Sequence, residues 1–354
     1  MRTLLLSWGR RLGRVHHAPV AEAEASIANA LDAHISVLTP HRFSTFRAAR
    51  LRNRFDPIPP LRITNVASQP ADVGIMVFPT GSVVPDLLLV PKWRALAHRW
   101  VAVVHECWPD HFAGRLGEFE AALGEFEAVA VMTHSGALAL SRELPGLKVK
   151  FAPFAVDARR ATVRRPQARG ITIFNPGRRD ATQHAAFRKV VGDNLYLFDT
   201  FAPGQTDDLA VHRAQYMNTI SHSRLMVTNY AKFNQASETG GAVEVGLRVT
   251  EALTCGAIPI GHHPTTIEMD GLDRSWFGPF LKIGPDNSLE SIIDAVRDVL
   301  ADQELGERVA VEGPRFVASH HDWSHRVAEL LQAASIDVPQ SLRDHQNELL
   351  ERFG

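Results

Sequence analysis

The chain has 354 residues, of which 45% are apolar and 22% are charged, a balance typical of soluble globular proteins. Its 38 lysine and arginine residues almost cancel its 39 aspartate and glutamate residues, so no overall field favours nucleic acid as a partner. The two cysteines, Cys107 and Cys255, lie far apart, which excludes a disulfide framework and a zinc-type cysteine pair. The cytoplasm is therefore the expected compartment, and the length allows two domains.

The N-terminal apolar run, Leu4–Leu6, is too short for the core of a signal peptide and favours a first strand. Arg10 and Arg11 follow it. This pair offers a peripheral contact with the headgroups of the inner membrane face, and a solvated loop is the alternative interpretation.

Residues 1–157 alternate between short apolar segments and longer segments with helical periodicity. We predict strands at Thr3–Ser7, His34–Leu38, Leu61–Asn65, Val73–Phe78, Leu87–Val90, Trp100–His105, Ala128–Thr133 and Lys148–Pro153. We predict helices at Glu22–Ala33, Phe43–Arg54, Lys92–His98, Gly117–Glu127 and Ser135–Glu143. Alternation of this kind indicates a mostly parallel sheet, which binds ligands at the carboxyl ends of its strands.

Polar loops follow three of these predicted strands. The first loop is a rigid turn that holds Thr80, Gly81 and Ser82. The second reads HECWPDHF, and four of its side chains can exchange protons or bind sugar hydroxyls, namely His105, Glu106, Asp110 and His111. Trp108 in the same loop could stack on a sugar ring. In the third loop, Ser135 leads a helix, and its plain interpretation is an N-cap.

The segment Lys148–Arg165 loses the apolar period and becomes arginine-rich, so we place a domain boundary between residues 157 and 158. A second α/β series occupies 158–335, and a helix in 336–354 is expected to return to the first domain. We predict strands at Ile171–Phe174, Asn194–Phe198, Leu225–Thr228, Ala257–Ile260 and Leu281–Ile283. We predict helices at Ala181–Val191, Leu209–Ser221, Ser288–Leu300, Trp323–Ala334 and Ser341–Phe353.

The stretch Gly240–Gly261 carries the strongest functional pattern of the chain. A glycine pair precedes a short amphipathic helix, Gly256 stands where a left-handed C-terminal cap is needed, and a buried strand follows. A helix that begins after a glycine-rich loop is suited to bind phosphate. Arg248 and Glu251 share a face of this helix, where a guanidinium suits a diphosphate and a carboxylate suits ribose hydroxyls. A surface i,i+3 ion pair is the alternative.

This stretch resembles a known signature. The pattern Gly246-x-Arg248-x-x-Glu251-Ala252-Leu253-x-x-Gly256-x-Ile258-Pro259-Ile260 is similar to that of the exostosin-like and family-1-type GT-B glycosyltransferases. Lys148–Asp157 also resembles the hinge strand that precedes their nucleotide domain. The resemblance implies a GT-B fold, with two Rossmann-like doubly wound domains facing a central cleft. The first domain would bind the acceptor, and the second the nucleotide sugar. The residues expected to contact the acceptor are Thr80, Gly81, Ser82 and Trp108.

The resemblance also implies roles for individual residues. Glu251 would hold the donor ribose hydroxyls, Arg248 would lie near the diphosphate, and Arg178 or its neighbour Arg179 would bind phosphate. The remaining residues expected at the donor site are Asn229, Gly240, Gly241, Glu244 and Thr250.

One departure concerns the stereochemistry of the reaction. In many retaining enzymes seven residues separate a first glutamate from the one that matches Glu251, whereas here Val243 occupies that first position and Glu244 comes one position late. Whether the anomeric centre is retained or inverted is therefore open. An inverting reaction needs a base, for which the order of candidates is Asp110, His111, Glu106 and His105.

The expected function is transfer of a sugar from a nucleotide-diphosphate sugar to a hydroxyl of a glycan, lipid or small molecule, as in polysaccharide biosynthesis. No D-x-D triplet occurs in the sequence, so arginines rather than a metal are expected to stabilise the leaving diphosphate, and no cofactor is expected. A nucleotide-sugar epimerase on the same fold and a non-catalytic GT-B-like protein that binds a glycan are the alternatives.

Overall fold

The computed structural model describes residues 1–8, 17–40, 61–198, 208–262, 283 and 286–353. Within them the chain divides into two compact units. The first comprises the described residues of Met1–Gly13, Val20–Ala152 and Arg326–His345, and the second those of Arg14–Pro19, Pro153–His325 and Gln346–Gly354. Arg10, Arg11, the predicted helix Phe43–Arg54 and, apart from Ile283, the predicted strand Leu281–Ile283 lie outside the described residues.

Strands and helices alternate along the described chain. The strands are β1 Thr3–Ser7, β2 His34–Pro40, β3 Leu61–Thr64, β4 Ala71–Phe78, β5 Ala97–Val104, β6 Ala128–Val131, β7 Val149–Phe151, β8 Ile171–Asn175, β9 Leu195–Phe198, β10 Ser223–Val227 and β11 Ile258–Ile260. The helices are α1 Ala18–Leu31, α2 Leu116–Leu123, α3 His134–Glu143, α4 Ala181–Val191, α5 Leu209–Ser221, α6 Ala236–Thr239, α7 Arg248–Thr254, α8 Leu289–Ala301, α9 Gln303–His320, α10 Trp323–Ala333 and α11 Gln340–Phe353.

The first unit is built on a seven-stranded sheet of order β3-β2-β1-β4-β5-β6-β7. All its strands are parallel except β3, which pairs antiparallel with β2. The central strands β4 and β5 pair from Ala71 with Ala97 to Phe78 with Val104, and their near-continuous apolar sequences are buried because helices cover such sheets. This is the mostly parallel sheet that the sequence predicts.

Two predicted elements of the first unit are wrong. The predicted strand Leu87–Val90 falls largely in a 3-10 turn, Gly81–Leu89, which contains Pro85 and so lacks one ladder donor. The predicted helix Lys92–His98 is a short 3-10 turn, Trp93–Leu96, followed by the start of β5 at Ala97. Pairing with β4 outweighs the helical propensity of these residues.

The second unit has a four-stranded parallel sheet of order β11-β10-β8-β9. The chain leaves β8 toward β9 on one side and returns to β10 on the other, so the strand order reverses between β8 and β10. In doubly wound folds such a switch point opens a crevice at the carboxyl ends of the strands. The buried core beneath this sheet includes Ile173, Val227, Leu253, Val296 and Val309.

The C-terminal part of the chain is divided between the two units, and the described residues of Gln346–Gly354 belong to the second. Arg326–His345 groups with the first unit, where Arg99 Nη2 donates to the carbonyl of Ala334 at 2.7 Å and Lys150 Nζ lies 3.4 Å from Glu329 Oε2. The division at Ala152–Pro153 lies close to the predicted boundary. The acceptor and donor labels of the two domains stay predictions. Among the described residues, no helix combines the length and apolarity needed to cross a membrane.

Candidate functional site

The switch point of the second sheet brings Arg248 against the loop that follows β8. Gly177 has a φ of 75°, and a Cβ added to it would lie 2.5 Å from Arg248 Nη2. Only glycine therefore fits beneath this guanidinium without displacing it. Because Arg178 follows directly in the chain, two of the predicted phosphate ligands belong to one cluster at the carboxyl edge of the sheet.

The structure distinguishes the two arginines of this loop. The Arg179 guanidinium carbon lies 5.2 Å from the ring centroid of Phe198 on the edge strand β9, a cation–π contact. Arg178 instead acts on Glu238, whose pKa is lowered first by a hydrogen bond and charge from Lys232 and also by the charge of Arg178. Arg178 is therefore the arginine that lies toward the polar loop after β10.

Lys232 is a further cation at this edge, and the sequence pattern did not single it out. Its Nζ lies 3.0 Å from Glu238 Oε2, and its backbone is left-handed, with a φ of 52°. A left-handed lysine is uncommon and is found where surrounding structure fixes the loop. No spacing rule would have found it, because its position depends on the path of the loop.

Glu251 has partners within its own unit. Its carboxylate is buried, Oε1 accepts from Arg213 Nη1, and Oε2 accepts from the hydroxyl of Tyr216 at 2.9 Å. Burial and the neighbouring carboxylate raise the pKa of Tyr216 well above its usual value, so this hydroxyl remains a donor. The structure shows neither the surface ion pair with Arg248 nor an open carboxylate, and the ribose role of Glu251 stays a prediction.

Asn229 forms hydrogen bonds with residues of two other segments at the switch point. Its Oδ1 accepts from the main-chain N–H of His262 at 2.8 Å and from Gln183 Nε2 at 3.1 Å, and its Nδ2 donates to Gln183 Oε1 at 3.0 Å. It thereby joins the ends of β10 and β11 to α4. Burial lowers the pKa of His262, against the opposing effect of Asp180, whose Oδ2 lies 3.9 Å from His262 Nε2.

The other predicted donor residues occupy turns or buried positions. Gly240 and Gly241 have φ values of 61° and 81° and end α6, so they reverse the chain there. The hydroxyl of Thr250 donates to a main-chain carbonyl one turn earlier, at 2.7 Å. Glu244 is buried and its carbonyl accepts from the N–H of Ala231 at 2.9 Å. Direct donor contact by these four residues stays a prediction.

In the first unit, the loops after β4 and β5 meet. The N–H of Gly81 donates to the carbonyl of Glu106 at 2.6 Å, and Thr80 Oγ1 lies 3.4 Å from His111 Nδ1. The N–H of Trp108 donates to the same Nδ1 at 3.3 Å. Nδ1 is therefore an acceptor, and a neutral His111 carries its proton on Nε2.

The remaining residues of these loops differ in accessibility. Asp110 and Ser82 are exposed, Glu106 is half-buried, and His105 is buried. Trp108 is 0% exposed, so its ring packs inside the unit and is not presented to a ligand. The stacking role predicted for Trp108 is corrected accordingly.

The loop after β6 supports the loop after β5. Thr133 Oγ1 donates to the carbonyl oxygen of Cys107, and a Cβ on Gly136 would lie 2.0 Å from that oxygen. Any larger residue at position 136 would displace the loop. Helix α3 begins at His134, with Thr133 as its N-cap residue, so Ser135 lies in the first turn and the N-cap interpretation of Ser135 is wrong.

Glu24 is a buried titratable residue that the sequence pattern did not identify. It is buried where β1 ends, with Ser7 Oγ donating to Oε2 at 2.5 Å and the N–H of Trp8 donating to Oε1 at 3.1 Å. Burial raises its pKa from 4.5 to about 7 despite these bonds. One signal was available, because Glu24 falls among Val20, Ile27 and Leu31 on the apolar face of α1.

Comparison with known proteins agrees with this architecture. Residues 178–332 match a family model described as glycosyl transferase-like. A crystal structure of a glycosyltransferase from Rickettsia africae is 9% identical, with a TM-score of 0.50 over 94% of this chain and 98% of that chain. The segment 178–332 is therefore glycosyl transferase-like, and the chain has the GT-B fold.

Other structures are similar over part of their length. S. aureus TarM, solved with fondaparinux, alpha-GlcNAc-glycerol and UDP, is 11% identical with a TM-score of 0.47 over 74% of this chain and 55% of that chain. The pneumococcal O-GlcNAc transferase GtfA, solved with UDP and GlcNAc, is 12% identical with a TM-score of 0.41 over 78% and 57%. This chain thus spans about half the length of these proteins. No curated protein matches the sequence significantly.

Proposed function

We propose that this chain transfers a glycosyl group from a nucleoside-diphosphate sugar to an acceptor hydroxyl, without a metal ion. The observation that carries the proposal is the packing of the Arg248 guanidinium on Gly177, beside Arg178, at the switch point of the second sheet. Guanidinium groups at this edge suit the oxygens of a diphosphate. The glycosyl transferase-like match over residues 178–332 covers the same region.

The donor side supplies positive charge to the leaving group. When the bond between the sugar and the diphosphate breaks, negative charge grows on the departing phosphate, and Arg178 and Arg248 would stabilise it. Lys232 is a third source of charge. Since it is paired with Glu238, a bound diphosphate would compete with that carboxylate for the ammonium group.

Glu251 would act on the donor site through the helices that carry it. Its pairing with Arg213 and Tyr216 joins α7 to α5 inside the unit and so fixes the helix that presents Arg248. A ribose hydroxyl would have to join this set as an additional partner of the carboxylate.

An inverting reaction would use Asp110 as its base. His111 accepts a main-chain hydrogen bond at Nδ1, so its neutral ring has no lone pair at Nε2 for an acceptor hydroxyl. His105 is buried, whereas the carboxylate of Asp110 is exposed in the same loop. In a retaining reaction the loop would only bind the acceptor, through Thr80 and its neighbours.

The experiment measures the melting temperature of the chain with a panel of nucleotide sugars. A true donor at about 100 times its Kd should stabilise the protein by about 2.7 kcal/mol. Arg248→Gln should weaken binding about 10–100-fold, because it removes charge-assisted hydrogen bonds. Arg297→Gln, which changes an exposed arginine on α8, is the matched control and should bind as the natural chain does.

The products then separate the possible functions. Transfer to an added acceptor, unchanged by a chelator, supports the proposal. An epimer formed without any acceptor would indicate an epimerase instead, and binding without turnover would indicate a non-catalytic protein. Absence of any melting shift with every nucleotide sugar would refute the donor site itself.

A further inference from the structure

A cavity of about 380 Å³ lies at the amino-terminal edge of the second sheet, opposite the edge that carries Arg178 and Arg248. The starts of β8, β10 and β11 form one side of it, and the junction of α8 and α9 forms another. Its volume lies within the usual range for small-molecule pockets. Two arginines, Arg169 and Arg224, and one carboxylate, Asp302, line it.

Arg169 is a buried charge compensated only by main-chain dipoles. It is 6% exposed, and its guanidinium donates to the carbonyls of Arg164, Ser223 and Cys255 at 2.8–3.0 Å. Burial lowers its pKa to about 10. Within the described part of the chain it forms no ion pair with a carboxylate, although buried cations usually have one.

Arg224 is the second guanidinium group that lines the cavity. Its Nη2 donates to the carbonyl of Leu300 at 2.7 Å, and among the described residues no carboxylate pairs with it. Its other guanidinium nitrogens make no hydrogen bond within the part of the chain that the structure describes, so they are available to a ligand. A guanidinium has five donors in a planar fork, of which this contact uses one.

Arg164 adds a further positive charge beside Arg169, and Glu307 adds a carboxylate that accepts from Gln167 at 3.2 Å. Arg164 lies close enough to lower the pKa of Arg169, and its Nε is buried without a hydrogen-bond partner among the described residues. The only carboxylate lining the cavity among the described residues, that of Asp302, caps α9 by accepting from the N–H of Leu305 at 2.8 Å. Among the described residues, two guanidinium groups, those of Arg169 and Arg224, thus line the cavity with a single carboxylate that is already engaged.

We propose that this cavity is a second anion site, separate from the donor site, which binds a small phosphate-bearing molecule. A phosphate group accepts the planar pair of donors that the remaining guanidinium nitrogens of Arg224 offer. It also supplies counter-charge to Arg169, whose own donors are largely taken by main-chain carbonyls. This site lies at the amino-terminal ends of β8, β10 and β11, so it would use neither Arg178 nor Arg248, which lie at the opposite edge of the sheet.

The test uses pyrophosphate as the probe and the full chain with Arg178→Gln and Arg248→Gln, which removes the predicted phosphate ligands at the other edge. Calorimetric titration at constant ionic strength should show one remaining site. Adding Arg224→Gln should weaken that site about tenfold or more, because a charge-assisted contact is lost. Arg297→Gln in the same background is the control and should change nothing.

A second measurement does not depend on how the variants fold. Amide hydrogen exchange of the natural chain should slow at residues 166–172 when pyrophosphate is added, and sodium chloride of equal ionic strength should not have this effect. The proposal is overturned if the double variant binds no pyrophosphate, if Arg224→Gln leaves binding unchanged, or if exchange at 166–172 does not respond.

Discussion

Replacing Glu24 by glutamine removes an ionisable group from the interior of the first unit while keeping the shape of the side chain. The amide oxygen can accept from the N–H of Trp8, as Oε1 does now, and the amide nitrogen can donate to Ser7 Oγ. The variant therefore resembles the protonated form of Glu24. Its stability relative to the natural chain should depend on pH, because only the natural chain can ionise at this position.

The sign follows from the direction of the pKa shift. In the unfolded chain the carboxyl loses its proton near pH 4.5, whereas in the folded chain burial holds the proton until about pH 7. The contribution of this carboxyl to stability is thus fully present below pH 4.5, declines as pH rises, and is lost above pH 7. A rise from 4.5 to about 7 corresponds to about 3 kcal/mol, at 1.36 kcal/mol per pKa unit.

Differential scanning calorimetry between pH 5 and pH 9 measures the effect. Near pH 5 the two proteins should melt at similar temperatures, and at pH 8 the first unit of the Glu24→Gln variant should melt about 6–12 °C higher than that of the natural chain. Glu120→Gln, which changes an exposed carboxylate on α2, is the control. A difference that is constant across this pH range, or that shrinks as pH rises, would refute the reasoning.

Three further substitutions test the packing of residues in the two units. Gly136→Ala should destabilise the first unit by about 1–3 kcal/mol or more in urea titrations, because its Cβ would overlap the Cys107 carbonyl; natural stability would contradict that packing. Glu251→Ala should cost about 3–5 kcal/mol by leaving Arg213 buried without its carboxylate, and an unchanged melting temperature would argue against a buried pair. Gly177→Ala should weaken nucleotide-sugar binding about tenfold by calorimetry while the fold is kept, whereas unchanged affinity would show that this contact does not position the arginine of α7.

Much of the fold follows from local patterns. Helices α4 and α5 have the predicted bounds, and Gly256 has the predicted left-handed conformation, with a φ of 65°. A Cβ there would lie 2.7 Å from the Cα of Ala310, so packing as well as backbone conformation requires glycine. Apolar runs and turn residues report such features because they depend on a few neighbouring positions.

The roles of single polar residues depend on contacts between distant parts of the chain. Glu251 and Arg213 lie on separate helices, and only the packing of α7 on α5 turns a presumed exposed carboxylate into a buried partner. Trp108 likewise becomes a core residue because the loop that carries it is held by Thr133.

The sequence by itself determined that two series of strands and helices typical of parallel sheets are present and that Arg248 lies on a helix that follows a glycine-rich loop, because these are properties of short segments. Only the tertiary structure decided that Arg248 packs on Gly177, that Arg179 turns to Phe198, and that Glu24 is enclosed. Side-chain environment sets charge, partners and pKa, and it is created by residues that no local spacing connects.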